Sequence, residues 1–225
     1  MANVNHAARE VRFKVVFYGP PFSGKRTTIE WIRSHIDAKS VSPFVIANSA
    51  ADKIVSFNFV LDGFKLIEGY RTRIELCTVG GEVVFNAPRE LILQEADSIV
   101  FVADPRWESI PANVESLQNL RDNLTSHNRS LATIPHVFQL NKRDLPDVAK
   151  IDYIKFLLAD GDPTATFFSA SARSGENLFP ALNAALQPVL EKFAKRHPRI
   201  TARKQNELPP SRLTRTPITS SSNRS

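Results

Sequence analysis

Cysteine is almost absent from this 225-residue chain, in which Cys77 stands alone. No intramolecular disulfide framework can hold the fold, and a reducing compartment suits it. Long apolar runs are missing as well; nothing approaches the roughly 18 residues that would span a membrane. Met1 to Glu10 carries no apolar signal region. The second residue is Ala2, not the glycine that N-myristoylation needs, and no prenylation cysteine stands near the C-terminus. These absences lead to the expectation of a cytoplasmic protein with no transmembrane segment. There is no internal repeat, and the five histidines show no metal-ligand spacing. At 42% hydrophobic and 23% charged residues the chain has the make-up of an ordinary globular protein. It is long enough to bury a core without staples.

Charge is unevenly placed. The formal net charge is +6, which invites a nucleic-acid reading. Seven of the 29 basic residues and one of the 23 acidic ones fall after position 195, leaving 22 of each before it. The excess therefore belongs to residues 196–225, a basic Ser/Thr/Pro-rich segment that is expected to be disordered. That segment has no aromatic residue to stack on bases. Specific nucleic-acid recognition is not expected; a tail-mediated protein partner is, and non-specific binding of nucleic acid or anionic lipid through the tail is the further alternative. Residues 1–10 read as a flexible lead-in and 11–195 as one domain.

Within 11–195 strands alternate with helices. Arg12 to Tyr18 is a β-rich run, and a helix is expected over Lys25 to Ile36. An irregular segment, 37–51, leads to strand candidates Lys53–Leu61 and Tyr70–Thr78, separated by turn residues. Ser98–Ala103 is a short, almost wholly apolar strand of the kind covered on both faces. Val114, Leu117, Leu120 and Leu124 mark a helix. Strand His136–Leu140, a helix around Asp147–Ala159, strand Thr166–Ser169 and a helix from Glu176 to Ala194 complete the order. The pattern predicts an α/β fold: a mostly parallel six-stranded sheet with one antiparallel edge strand and helices on both faces. Cys77 and Trp31 read as packing residues; Trp107, near a sheet end, has two readings, a bland surface or packing residue or a partner contact.

Three loops carry chemistry. Gly19-Pro-Pro-Phe-Ser23-Gly24-Lys25 matches GxxxxGK between a strand and a helix. Backbone N–H groups of such a loop face phosphate oxygens, and Lys25 reaches the terminal phosphates. The next position, where a Ser or Thr hydroxyl normally ligates Mg²⁺, is Arg26. Thr27 follows, but one helical step is about 100° of rotation. Pro21 removes a backbone donor. Arg26 has two readings: a counter-charge on bound phosphates in place of Mg²⁺, or a surface residue beside a weak or empty metal position. Asn141-Lys142-Arg143-Asp144 is an NKxD signature at a strand end. The Asp144 carboxylate can accept two hydrogen bonds from guanine, a pattern adenine cannot supply. Asn141 would tie this loop to the phosphate loop, and the Lys142 stem can lie along the base. Ser171-Ala172-Arg173 resembles the SAK-type segment that contacts the guanine oxygen, although Ser and Gly before a helix are also ordinary capping residues.

With these loops, the chain over about residues 12–195 resembles the Ras-like small GTPases. Thr78-Val-Gly-Gly81-Glu82 is similar to the second switch, and its Gly80-Gly81 pair to that of the Arf branch. Phe85–Leu93, Phe101–Asp104 and Asn141–Pro146 most resemble the MglA-type bacterial GTPases of gliding motility. The resemblance implies a Ras-like P-loop fold, GTP and GDP as ligands, and a cytoplasmic switch in motility or cell polarity. It also implies a roadblock-type activating partner, with regulators or effectors docking on the switch and edge-strand surface, Lys53–Leu61.

Several positions depart from that family. Glu82 replaces the catalytic Gln, and an ionised carboxylate there cannot donate a hydrogen bond. Asp52-Lys53-Ile54 aligns with the first switch; Lys53 keeps a cation without the planar fork of Arg, and Ile54 has no hydroxyl for metal or phosphate. Thr27 and Thr78 are the candidate metal-side hydroxyls, and Glu82 and Lys53 the candidate catalytic groups. Gly19, Ser23, Gly24, Lys25, Arg26, Thr27, Gly81, Asn141, Lys142, Asp144, Ser171, Ala172 and Arg173 are the candidate nucleotide-binding residues. Losses gathered in the metal and γ-phosphate half point to a guanine-nucleotide switch with slow or altered hydrolysis. The alternative is a pseudo-GTPase scaffold with constitutive nucleotide or none.

Overall fold

The computed structural model describes residues 2–48, 53–61, 69–80, 87–159, 162 and 164–196. The expected boundaries of the flexible lead-in and the basic tail are not tested by it, and 197–225 lie outside the described residues. The strands are β1 (Asn3–Asn5), β2 (Glu10–Tyr18), β3 (Val45–Asn48), β4 (Lys53–Val60), β5 (Arg71–Thr78), β6 (Ser98–Ala103), β7 (His136–Leu140) and β8 (Phe167–Ser169). The helices are α1 (Lys25–Ser34), α2 (Ala87–Gln94), α3 (Ile110–Ser126), α4 (Ile151–Ala159) and α5 (Leu178–Arg196).

The sheet runs β3-β4-β5-β2-β6-β7-β8. β2 lies parallel to β5 and β6, and β7 continues the parallel half to β8. β4 pairs antiparallel to β5, with Val55 opposite Thr78. The expected mostly parallel sheet with an antiparallel part is present, extended by two short strands, but Lys53–Leu61 is not the exposed edge: β3 pairs along β4 and takes that place. β1 pairs with Glu10–Arg12 of β2, where β6, which begins opposite Val15, does not reach. β3 pairs with β4, although 37–51 reads as irregular; four residues without alternation become a strand only because β4 offers a free edge.

Alternation along β2 divides the core. Val11, Phe13, Val15 and Phe17 join Ile29 and Ile32 of α1 and Leu182, Leu186 and Phe193 of α5 on one face. Val16 and Tyr18 join Leu93 of α2, Leu117, Leu120 and Leu124 of α3 and Ile154 of α4 on the other. Every residue of β6 is buried, as a strand covered on both faces requires. Cys77 is a core residue, its thiol pushed up to about 12 by burial and the nearby Glu75 charge. Trp31 packs against Phe179 and stacks on His35. Trp107 is 55% exposed beside Tyr153.

One core residue is anomalous. Arg89 of α2 is 0% exposed. Its guanidinium lies 5.7 Å from the Tyr18 ring centroid, and Nη1 donates to Asn119 Oδ1 at 2.9 Å. Nε and Nη2 are buried with no hydrogen-bond partner. A buried charge so thinly compensated is destabilising. Arg89→Met, which keeps the length without the charge, is therefore expected to raise stability by about 1–2 kcal/mol. A fall in the urea midpoint would contradict this.

Candidate functional site

The parallel strands deliver their C-terminal ends to one side of the sheet, where open α/β sheets hold ligands. The phosphate loop follows β2, Asp104 follows β6, Asn141–Asp144 follow β7, and Ser171-Ala172 follow β8. Four sequence-distant segments thus meet at one place.

Asn141 joins three of them. It is 1% exposed. Its Nδ2 donates to the Ser23 carbonyl at 2.7 Å, and its Oδ1 accepts from the Ala172 N–H at 2.8 Å. One side-chain amide thereby spans the phosphate loop and the third loop from the middle of the second. The approach demands glycine at 24: φ there is +98°, and an added Cβ would collide with Asn141 Nδ2. The third loop has its own constraint. Gly175, φ +84°, lies against the Trp31 ring where a Cβ would not fit, so α1 and this loop share a packed surface.

The phosphate loop has the features that phosphate binding needs. Gly24 is the N-cap of α1, with no side-chain cap and no acidic residue in the first turn. The helix N-terminus therefore keeps its dipole and uncapped N–H groups for an anion. Lys25 is 6% exposed, and its Nζ donates to the carbonyls of Gly19 and Pro20 at 2.7 Å each. Ser23 Oγ is buried with no hydrogen-bond partner, an orphan donor inside the loop. These residues fit nucleotide phosphates.

The base side is equally ordered. Asp144 is exposed, and its Oδ1 accepts from Ser171 Oγ at 2.6 Å. That bond holds the carboxyl below the ordinary Asp range, so it stays ionised and acceptor-only at neutral pH. Lys142, φ +56°, donates from Nζ to Asp104 Oδ2 at 2.6 Å. Arg173 is exposed. Asp104 is the residue that sequence reasoning missed. It is 0% exposed and takes Arg106 Nη2 at 2.7 Å as well as Lys142. Its backbone is clamped by Asn113, whose Oδ1 accepts from Asp104 N and whose Nδ2 donates to Asp104 O. Burial alone would raise the Asp104 carboxyl, but the Arg106 and Lys142 bonds outweigh it and hold it low. The signal available in the sequence was an acid ending the apolar β6 run.

The metal side is different. An open cleft of about 360 Å³ beside Lys25 is lined by Phe22, Arg26, Thr27, Val55, Thr78, Val79 and neighbouring glycines. Arg26 donates from Nε to Glu30 Oε1 at 2.6 Å, one turn along the exposed side of α1, with its own side chain 59% exposed. That geometry supports the surface reading of Arg26 over the counter-charge reading. Thr28, which a helix turns inward, bonds Gln139 and faces away from the cleft. Ile54 sits in β4 opposite Ala47 and packs against the core. Among the described residues, the position after Lys25 is a guanidinium and Ile54 has no oxygen, which leaves the displaced hydroxyls of Thr27 and Thr78, and this set does not fit Mg²⁺. Gly81, Glu82 and Asp52 lie outside the described residues, and Lys53 is described only as the first backbone position of β4.

No protein-family model matches the chain. A relative does: the mutual gliding-motility protein MglA of Myxococcus xanthus is 35% identical over 195 residues, covering 87% of this chain and 99% of the relative. Together with the sheet order and the P-loop context, that similarity places the chain in the MglA-type branch of the Ras-like small GTPases. No helix among the described residues is long and apolar enough to cross a membrane.

Two outcomes follow. Asn141→Ala strands a buried carbonyl and N–H and is expected to cost about 2–3 kcal/mol in chemical denaturation; Gly24→Ala, through the same contact, is expected to destabilise too. Asp104 has a folded pKa below its unfolded value, so its contribution is full above the unfolded value of about 3.9 and lost as pH falls through the lower folded one. Asp104→Asn is therefore expected to flatten the acid limb of the stability–pH curve below about pH 4. An unchanged limb would remove Asp104 as its source.

Proposed function

We propose that this protein is a guanine-nucleotide-binding regulatory switch whose GTP hydrolysis is slow or absent. The observation that carries it is the Asn141 bridge, which sets phosphate loop, base loop and third loop in one frame. In that frame the phosphates lie on the loop N–H groups and the α1 N-terminus, with Lys25 as their cation. Asp144 accepts the guanine ring N–H and exocyclic amine through the oxygen positions that Ser171 leaves open. Lys142, anchored on Asp104, lays its stem along the base, and the Ala172 and Arg173 backbone serves the guanine oxygen.

Hydrolysis is the weakened half. Arg26 stands where a metal hydroxyl is needed, Ile54 where a switch hydroxyl is needed, and Glu82 where a water-positioning amide is needed. Lys53 is left as a cation without the fork that neutralises transition-state charge. By its likeness to MglA, the switch acts in gliding motility or cell polarity in the cytoplasm. A roadblock-type regulator or an effector meets it on the β3–β4 edge, where Val45 and Ile46 are exposed. The basic segment after 195 adds attachment to a protein or to anionic lipid.

The test is direct. Purified full-length protein is denatured and any released nucleotide identified, and GDP and ADP are then titrated. GDP is expected to bind in the micromolar range or tighter and ADP at least about 100-fold more weakly, two charge-assisted hydrogen bonds being worth that much. Asp144→Ala is expected to remove the difference. Single-turnover GTP hydrolysis is expected to be no faster than about 10⁻⁴ s⁻¹, the order of an unassisted Ras-type site. No GDP affinity below about millimolar would overturn the switch and leave the pseudo-GTPase scaffold; rapid multiple turnover would overturn the slow hydrolysis.

A further inference from the structure

The metal side of the cleft carries a more specific conclusion, which rests on the guanine-nucleotide reading. We propose that this protein binds its nucleotide without Mg²⁺ and selects the diphosphate over the triphosphate, with Arg26, Pro21, Val55 and Val79 setting that selection.

The argument begins with charge. A nucleoside diphosphate ends its charge at the β-phosphate, within reach of the loop N–H groups, the α1 N-terminus and Lys25. A third phosphate extends further and adds negative charge that must find new partners or stay unpaired against protein. A metal ion and a switch hydroxyl supply those partners in P-loop GTPases.

Among the described residues, the position after Lys25 supplies no metal ligand and Ile54 no switch hydroxyl. The residue after Lys25 is Arg26, whose guanidinium has no lone pair to ligate a cation and repels one. It is engaged with Glu30 along the helix surface. Thr27 lines the same cleft but sits about 100° around the helix from position 26. The far wall is formed by Val55 of β4, Thr78 at the end of β5 opposite it, and Val79, all three buried. Its aliphatic groups can neither coordinate a metal nor donate to a phosphate oxygen. Pro21 takes one backbone donor out of the loop, and Phe22 at φ +57° turns an 84% exposed ring to the cleft rim. Among the described residues, the cleft wall facing α1 is thus mostly aliphatic, with the Thr78 hydroxyl as its side-chain donor, where an extra anion needs several.

The experiment is a competition titration of the full-length protein with a fluorescent GDP analogue, using GDP, GTP and ADP as competitors, in excess Mg²⁺ and in excess EDTA. GDP affinity is expected to change less than two-fold between the two conditions, and GTP to bind at least ten-fold more weakly than GDP in both. Arg26→Thr is expected to make binding Mg²⁺-dependent and to narrow the GDP–GTP gap in Mg²⁺; the wild-type comparison stands whether or not that variant folds. A loss of GDP affinity above ten-fold in EDTA, or GTP binding as tightly as GDP, would overturn the proposal while guanine selectivity remained intact. ADP competing as well as GDP, with Mg²⁺ without effect, would instead overturn the guanine reading alone. Absence of nucleotide binding would overturn both.

Discussion

The site depends on one buried amide. Asn141 reaches from the end of β7 to the Ser23 carbonyl and to the Ala172 N–H. Both partners are backbone groups on loops far apart in the chain, whose other link is the packing of Gly175 on Trp31 of α1. Satisfying them removes two unpaired polar groups from the interior. The same contact explains Gly24, since the amide sits where any side chain would project. A single constraint thereby joins the phosphate motif and the base motif into one geometry.

Around that bridge the two halves of the site are built differently. The base half is braced: Ser171 holds Asp144, Asp104 holds Lys142, and Asn113 holds Asp104. Each link sits at a strand end or on a helix packed to the sheet, so the acceptor pattern is set before any ligand arrives. Among the described residues the metal half has no matching brace. Arg26 turns along the helix to Glu30, and the facing wall is Val55, Thr78 and Val79. Chemistry that needs a fixed base contact is favoured; chemistry that needs a placed cation and water is not.

Much of the fold was legible because strong local signals agreed with it. The apolar run of β6, the spacing of Leu117, Leu120 and Leu124, and the glycine-bounded phosphate loop each name their element unaided. β3 was not legible, since Val45–Asn48 is a strand only by pairing with β4. The start of α4 also shifted, from 147 to Ile151, because the turn after Pro146, with Asp147 at φ +52°, is used before the helix can begin. Arg89 and Asp104 were silent for a related reason. Charged residues in a sequence read as surface, and only the packing of α2 on α3, or of the β6 end beneath Lys142, buries them.

The sequence by itself determined the site's vocabulary: GxxxxGK, NKxD and the Ser-Ala loop, in an order and spacing that belong to the Ras-like GTPases, and Arg26 where a hydroxyl is needed. Residue type alone decides whether a group can ligate a cation or read a base edge. Only the tertiary structure decided where Arg26 points, that Asn141 reaches the third loop as well as the phosphate loop, and that Asp104 lies under Lys142. Those facts concern groups far apart in the chain, and their directions are set by packing and by the need to pair buried polar atoms.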